Sequence, residues 1–148
     1  MKKSDELYLL DTNIIIHAVR ATDVWRKVNA AYGLMTTAMT PLLSRVTDGE
    51  LRSFAVQRNW GPTKLEQLEF HMLHFAVKSI DEAEIVQTYA NLDAYAVSMG
   101  VTMGKNDLWI AATAVVTGAT LLTTDRDFDL FAPRFLHRLW LDPNATTT

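Results

Sequence analysis

The 148-residue sequence predicts an α/β protein: a central, mainly parallel sheet with helices on both faces. Three observations carry this expectation. Short apolar runs, Leu7-Tyr8-Leu9-Leu10 and Ala119-Thr120-Leu121-Leu122 among them, alternate with longer segments of helical periodicity. Strands alternating with helices close into right-handed βαβ units, whose strands run parallel. Aspartates fall where the runs stop, Asp11 directly after the first and Asp125 just beyond the second. In such sheets, ligands bind outside the carboxyl ends of the strands.

Residues 7–10 are too few for a helix and are bounded by polar residues, which predicts a buried strand. Thr12 or Asn13 then caps a helix carrying Ile14, Ile15, Ile16 and Val19. A second helix is expected over 25–35. The segment 37–43 is ambiguous, because Pro41 suits a central strand poorly. Ser44 caps a helix through Glu50 to Arg58, which Gly61-Pro62 ends. Another helix covers 63–73, and 75–80 alternates like a strand. Asp81, Glu82 and Glu84 open a helix whose N-terminal dipole their charge suits; it carries Ile85, Tyr89, Leu92 and Ala96. Asn106 caps the next helix, and Gly118 sits just past its end. Residues 119–123 form a strand and 138–141 a last one. One domain over 1–143 is expected, with 144–148 a frayed polar tail.

Composition narrows the chemistry. The sequence has no cysteine, which excludes disulfides, zinc thiolates and cysteine nucleophiles. Among four histidines, His71 and His74 stand three apart on a helix with no third ligand nearby, so a partly buried helix face is the better reading. The net charge of −3 leaves no electrostatic footprint of nucleic-acid binding, although clustered metal ligands alone supply several negative charges. Lys2 and Lys3 are followed by Ser4, Asp5 and Glu6 rather than an apolar leader. The apolar stretch 108–122 is short for a membrane span and broken by Gly118, so a cytoplasmic protein is expected.

The acidic residues carry the chemistry. Asp107 opens a nearly uncharged stretch, residues 108–116. A carboxylate beside a buried helix is costly to desolvate unless a cation or a hydrogen-bond donor answers it. Asp11 and Asp125 lie at strand ends, and Asp107 at a helix start able to face the same edge. Meeting there, they would make a site for a hard divalent metal.

The motifs Asp11-Thr12-Asn13, Gly49-Glu50-Leu51, Asn106-Asp107-Leu108-Trp109-Ile110-Ala111-Ala112 and Thr123-Thr124-Asp125-Arg126-Asp127-Phe128 resemble those of PIN-domain nucleases. More narrowly, they are similar to the VapC-type toxins of toxin–antitoxin pairs. Each motif alone is weak, whereas four in order from about Leu7 to Phe128 are specific. The resemblance implies a PIN-like three-layer α/β/α sandwich with an acidic pocket that holds Mg2+ or Mn2+ and hydrolyses RNA. It implies catalytic and metal-binding roles for Asp11, Glu50, Asp107 and Asp125, with Glu50 orienting the attacking water or holding a second ion. Asn13 and Thr123 would support them, and Asp127 would do the same or substitute as a ligand. It also implies a homodimer and a small antitoxin that blocks the pocket. The entry to the helix of Glu50, with Pro41 and Arg45, and the Arg52-Ser53-Phe54 that follows depart from the family pattern without removing a ligand.

Arg45, Arg52, Lys105 and Arg126 are candidate RNA-phosphate contacts. The four tryptophans fit core or interface packing better than base stacking. A PIN nuclease of RNA processing without an antitoxin is the alternative function. A phosphoacceptor or metal-binding signalling domain fits less well, because Asp11-Thr12-Asn13 lacks the Asp-x-Asp of aspartyl phosphatases and Leu7–Leu10 lacks the paired acidic residues of receivers.

Overall fold

A computed structural model describes residues 6–144. The expected frayed tail, from residue 145 onward, and residues 1–5 lie outside the described residues. The elements run β1 (Tyr8–Leu10), α1 (Thr12–Arg20), α2 (Asp23–Tyr32), β2 (Leu42–Ser44), α3 (Arg45–Gln57), α4 (Pro62–His74), β3 (Ala76–Lys78), α5 (Ala83–Ser98), α6 (Lys105–Thr117), β4 (Thr120–Thr123) and β5 (Arg138–Trp140). A 3-10 helix, Arg126–Phe131, sits between the last two strands.

The five strands form one sheet in the order β3-β2-β1-β4-β5, and every pairing is parallel. The sheet is therefore wholly rather than mainly parallel among the described residues. From β1 the chain proceeds outward through β2 and β3, then returns to the other side for β4 and β5. The switch point lies between β1 and β4, where Leu9 pairs with Leu121 and Leu10 with Leu122. A crevice outside the carboxyl ends of strands forms at such a point.

Period-two alternation sorts the strand side chains into two layers. Tyr8, Leu10, Leu43 and Leu122 join Ile14, Ile15, Leu51 and Leu68 in the core on one face, under α1 to α4. Leu9 and Leu121 join Ile85, Leu92, Leu108, Ala111 and Phe128 on the other, under α5 and α6. Trp109 closes the edge of this second layer by stacking on Tyr89, ring centroids 4.0 Å apart. Trp25 and Trp60 are buried in the first layer.

Several boundaries differ from the sequence expectation. Asp11, not Thr12 or Asn13, caps α1: its carboxylate accepts the Thr12 N–H. Gly104, not Asn106, caps α6, so Asn106 lies in the first turn with its side chain free for another partner. Ser44 caps α3 as expected, its hydroxyl accepting from the Val46 N–H. Pro62 takes the first position of α4, where its missing N–H costs nothing. Pro41 stands just before β2, and its carbonyl accepts the Ala76 N–H at 3.0 Å. The ambiguous segment thus enters the sheet one residue after the proline, which resolves the conflict with a missing donor.

His71 is buried against Trp25, Phe70 and Phe75, and its Nδ1 finds no hydrogen-bond partner among the described residues. His74 directs Nε2 to the Met35 carbonyl at 3.0 Å. On this face of α4 His71 is thus buried and His74 exposed.

Candidate metal centre

Each acidic side chain reaches the carboxyl edge of the sheet for a local reason. Asp11 is the residue at which β1 becomes α1: its N–H completes the ladder to the Leu122 carbonyl, and its carboxylate turns to cap the helix. Asp125 stands two residues beyond β4 and caps the 3-10 helix, accepting the Asp127 N–H at 2.8 Å. Asp107 lies in the first turn of α6, where the helix dipole favours a negative charge. Glu50 sits midway along α3, which begins directly at the end of β2.

The four converge on one open cleft of about 580 Å³, whose walls also include Thr12, Asn13, Asn106, Phe54 and Gln57. Asp11 lies deepest, 4% exposed. Its Oδ1 accepts the Thr12 N–H at 2.8 Å and its Oδ2 accepts the Thr123 hydroxyl at 2.7 Å. The Thr123 oxygen in turn accepts the Asp125 N–H at 2.9 Å. Thr123 is itself fully buried, so one hydroxyl links the acidic ends of β1 and β4. Glu50 is held from both sides: Thr12 Oγ1 donates to Oε1 at 2.5 Å and Asn106 Nδ2 donates to Oε2 at 3.0 Å.

Crowding shows in the acid–base properties. Burial pushes the Asp11 carboxyl up to about 6, with Asp125 and Glu50 adding to the rise against the hydrogen bonds from Thr123 and Thr12. Burial pushes Asp107 up to about 7, and Asp11, Asp125, Glu50 and Asp127 all add repulsion. Such a set loses its repulsion when a cation is shared among the carboxylates.

The donor set fits a hard divalent ion. One carboxylate oxygen each from Asp107, Asp125 and Asp127 lies within 4.8 Å of the others. All the donors are oxygens, as Mg2+ and Mn2+ prefer. Asp127, expected as a supporting or substitute ligand, joins Asp107 and Asp125 in this group, while Asp11 and Glu50 line the cleft that Asp107 and Asp125 share.

The basic residues are placed differently. Arg45 pairs with Asp48 at 2.6 Å, and Arg52 bridges Asp48 at 2.9 Å and Glu69 at 2.6 Å. The Arg126 guanidinium lies 3.8 Å from the centre of the Trp140 ring and 3.4 Å from Asp129. Lys105 borders a smaller cleft shared with Glu50, Gly104, Asn106 and Asp107. Sequence reading passed over Thr47 and saw Thr12 and Asn106 only as helix caps. Their contacts to the Glu50 segment span 35 or more positions and have no local signal.

Comparison with known proteins identifies the family and the fold. The PIN domain family model matches residues 8–132. The chain is 35% identical over 88 residues to Ribonuclease VapC4 of Mycobacterium tuberculosis (strain ATCC 25618 / H37Rv), covering 58% of this chain and 67% of the relative. FitAcB from Neisseria gonorrhoeae is similar at TM-score 0.71 and 27% identity, over 89% of this chain and 96% of that one. VapBC2 from Rickettsia felis, solved bound to a DNA fragment from its promoter, shares the fold at TM-score 0.78 and 23% identity, over 92% and 99%. The chain belongs to the PIN domain family, among its VapC-type members.

Proposed function

We propose that this protein is a divalent-metal-dependent endoribonuclease and the toxin of a toxin–antitoxin pair. The observation that carries the reading is the convergence of Asp11, Glu50, Asp107 and Asp125 on one open cleft at the switch point of the sheet. The family and the ribonuclease named as its relative support RNA as substrate.

Asp107, Asp125 and Asp127 would hold Mg2+ or Mn2+, with Asp11 completing the acidic wall. When bound, such an ion supplies Lewis acidity, acidifying a water and relieving charge on the phosphoryl oxygens. The chain does the rest. Thr123 fixes Asp11 and the Asp125 backbone in one arrangement, and Glu50, which lines the cleft, would orient the attacking water. Lys105, at the rim beside Asp107, is the basic residue best placed to meet an RNA phosphate. Arg45, Arg52 and Arg126 would reach RNA by exchanging their acidic partners for phosphate.

A small antitoxin completes the proposal, since VapBC complexes from Rickettsia felis and Haemophilus influenzae share this fold, and the homodimer stays part of it as the family resemblance implies. An acidic cleft suits a basic plug. Among the described residues no helix is long and apolar enough to cross a membrane, which is compatible with a cytoplasmic site of action.

The test compares the protein with its Asp11→Asn variant on total cellular RNA, with Mg2+ or Mn2+ and with a chelator. Discrete metal-dependent fragments that vanish in the variant are expected. Equal cleavage by both proteins overturns the reading. Growth arrest on expression, relieved by the same substitution, separates a toxin from a processing nuclease.

A further inference from the structure

We infer that Thr12 and Asn106 are positioning residues that clamp Glu50, an assignment that rests on the nuclease reading above. A glutamate side chain on a helix surface has several accessible rotamers, and near like charges it prefers the one farthest from them. Glu50 faces that repulsion: its charge contributes to the raised pKa of both Asp11 and Asp107. Unrestrained, it would swing from the cleft toward solvent.

Two donors from two other elements oppose the swing. Thr12 Oγ1 comes from the first turn of α1, and Asn106 Nδ2 from the first turn of α6. Each takes one carboxylate oxygen, at 2.5 and 3.0 Å, so both position and plane of the group are set. Donors aimed at an ionised carboxylate make the stronger class of hydrogen bond.

The Thr12 arm is braced in turn. Its single hydroxyl proton goes to Glu50, so in the 3.0 Å contact between Thr12 and Thr47 the Thr47 hydroxyl is the donor. Thr47 is fully buried and lies one turn before Glu50 on α3. The chain Thr47 to Thr12 to Glu50 therefore leaves α3, crosses to α1 and returns to α3. Asn106 directly precedes Asp107, so the other arm ties Glu50 to the helix start that presents the metal-binding carboxylate. The spacing between Glu50 and the acidic wall is thus built into three helices rather than left to a rotamer.

The test measures kcat and KM for RNA cleavage at saturating Mn2+, with Mn2+ affinity and melting temperature recorded for each variant. Thr12→Val and Asn106→Ala should lower kcat about 10- to 100-fold with KM changed by less than about threefold. Thr12→Ser, which keeps the hydroxyl, should recover most of the lost kcat. Mn2+ affinity should stay within about threefold in all of them. Wild-type kcat in Thr12→Val and Asn106→Ala, or Thr12→Ser falling as far as Thr12→Val, overturns the clamp while Asp11→Asn remains inactive. Should Thr12→Val fail to fold, Asn106→Ala at the exposed rim decides alone. Cleavage by Asp11→Asn at the wild-type rate is a different result: it removes the nuclease reading itself, and the clamp with it.

Discussion

The hydroxyl of Thr123 donates to Asp11 Oδ2 at 2.7 Å, and both residues are buried. Because the same oxygen accepts the Asp125 N–H, this hydrogen bond joins the ends of the two strands that flank the switch point. Thr123→Val keeps the shape and removes the donor. It should destabilise the protein by about 1–3 kcal/mol, the cost of leaving a buried carboxylate oxygen unanswered. Urea unfolding checks the stability, and RNA cleavage should fall with it even where the variant is fully folded.

The crowded carboxylates make metal-free stability depend on pH in a defined direction. Asp11 and Asp107 have folded-state values raised to about 6 and about 7, above their unfolded values. A raised value means stability that is fully present below the unfolded pKa near 4 and lost as pH climbs through the folded one. In chelator, wild type should therefore lose on the order of 2–4 kcal/mol relative to Asp107→Asn between pH 4 and pH 8. Parallel pH profiles for the two proteins would contradict this.

The same reasoning separates stability from activity at Asp107. Replacing it by Asn removes a charge that Asp11, Asp125, Glu50 and Asp127 all repel. Near neutral pH the metal-free Asp107→Asn protein should melt higher than wild type by roughly 2–6 °C while losing cleavage. Differential scanning fluorimetry in chelator, paired with an RNA assay, measures both.

His71 supplies an opposite limb. Burial lowers its pKa, and its Nδ1 has no partner among Trp25, Phe70 and Phe75. A histidine held neutral in the fold loses stability as pH falls through its unfolded pKa near 6.5. His71→Leu should flatten the loss of stability between pH 6.5 and pH 5, and chemical unfolding over that range reads it.

Much of the architecture was legible because its signals are local. Apolar runs followed by Asp11 and Asp125 marked both strands at the switch point, and Gly118 marked the end of α6 in the left-handed conformation it adopts. The capping residues were misread where several good caps stand in a row. In Asp11-Thr12-Asn13 each residue can cap, and the choice of Asp11 follows from its N–H completing the ladder to Leu122. At α6 the helix starts two residues earlier than an Asn106 cap would place it, which frees the amide for Glu50. The 3-10 helix after Asp125 went unseen because six residues are too few to show a period. Ion pairs such as Arg52 with Glu69 depend on how α3 meets α4, a tertiary relation no local pattern encodes.

The account stands most directly on metal binding at the acidic edge. The measurement is the melting temperature of the metal-free protein at pH 7.5 as Mn2+ is added to 1 mM, beside Asp107→Asn. Binding at 10 to 100 times Kd stabilises by about 1.4–2.7 kcal/mol, a rise of roughly 3–10 °C for a chain of this size. The account predicts that rise in wild type and a flat response in Asp107→Asn. No shift in wild type, or the same shift in both proteins, would contradict it.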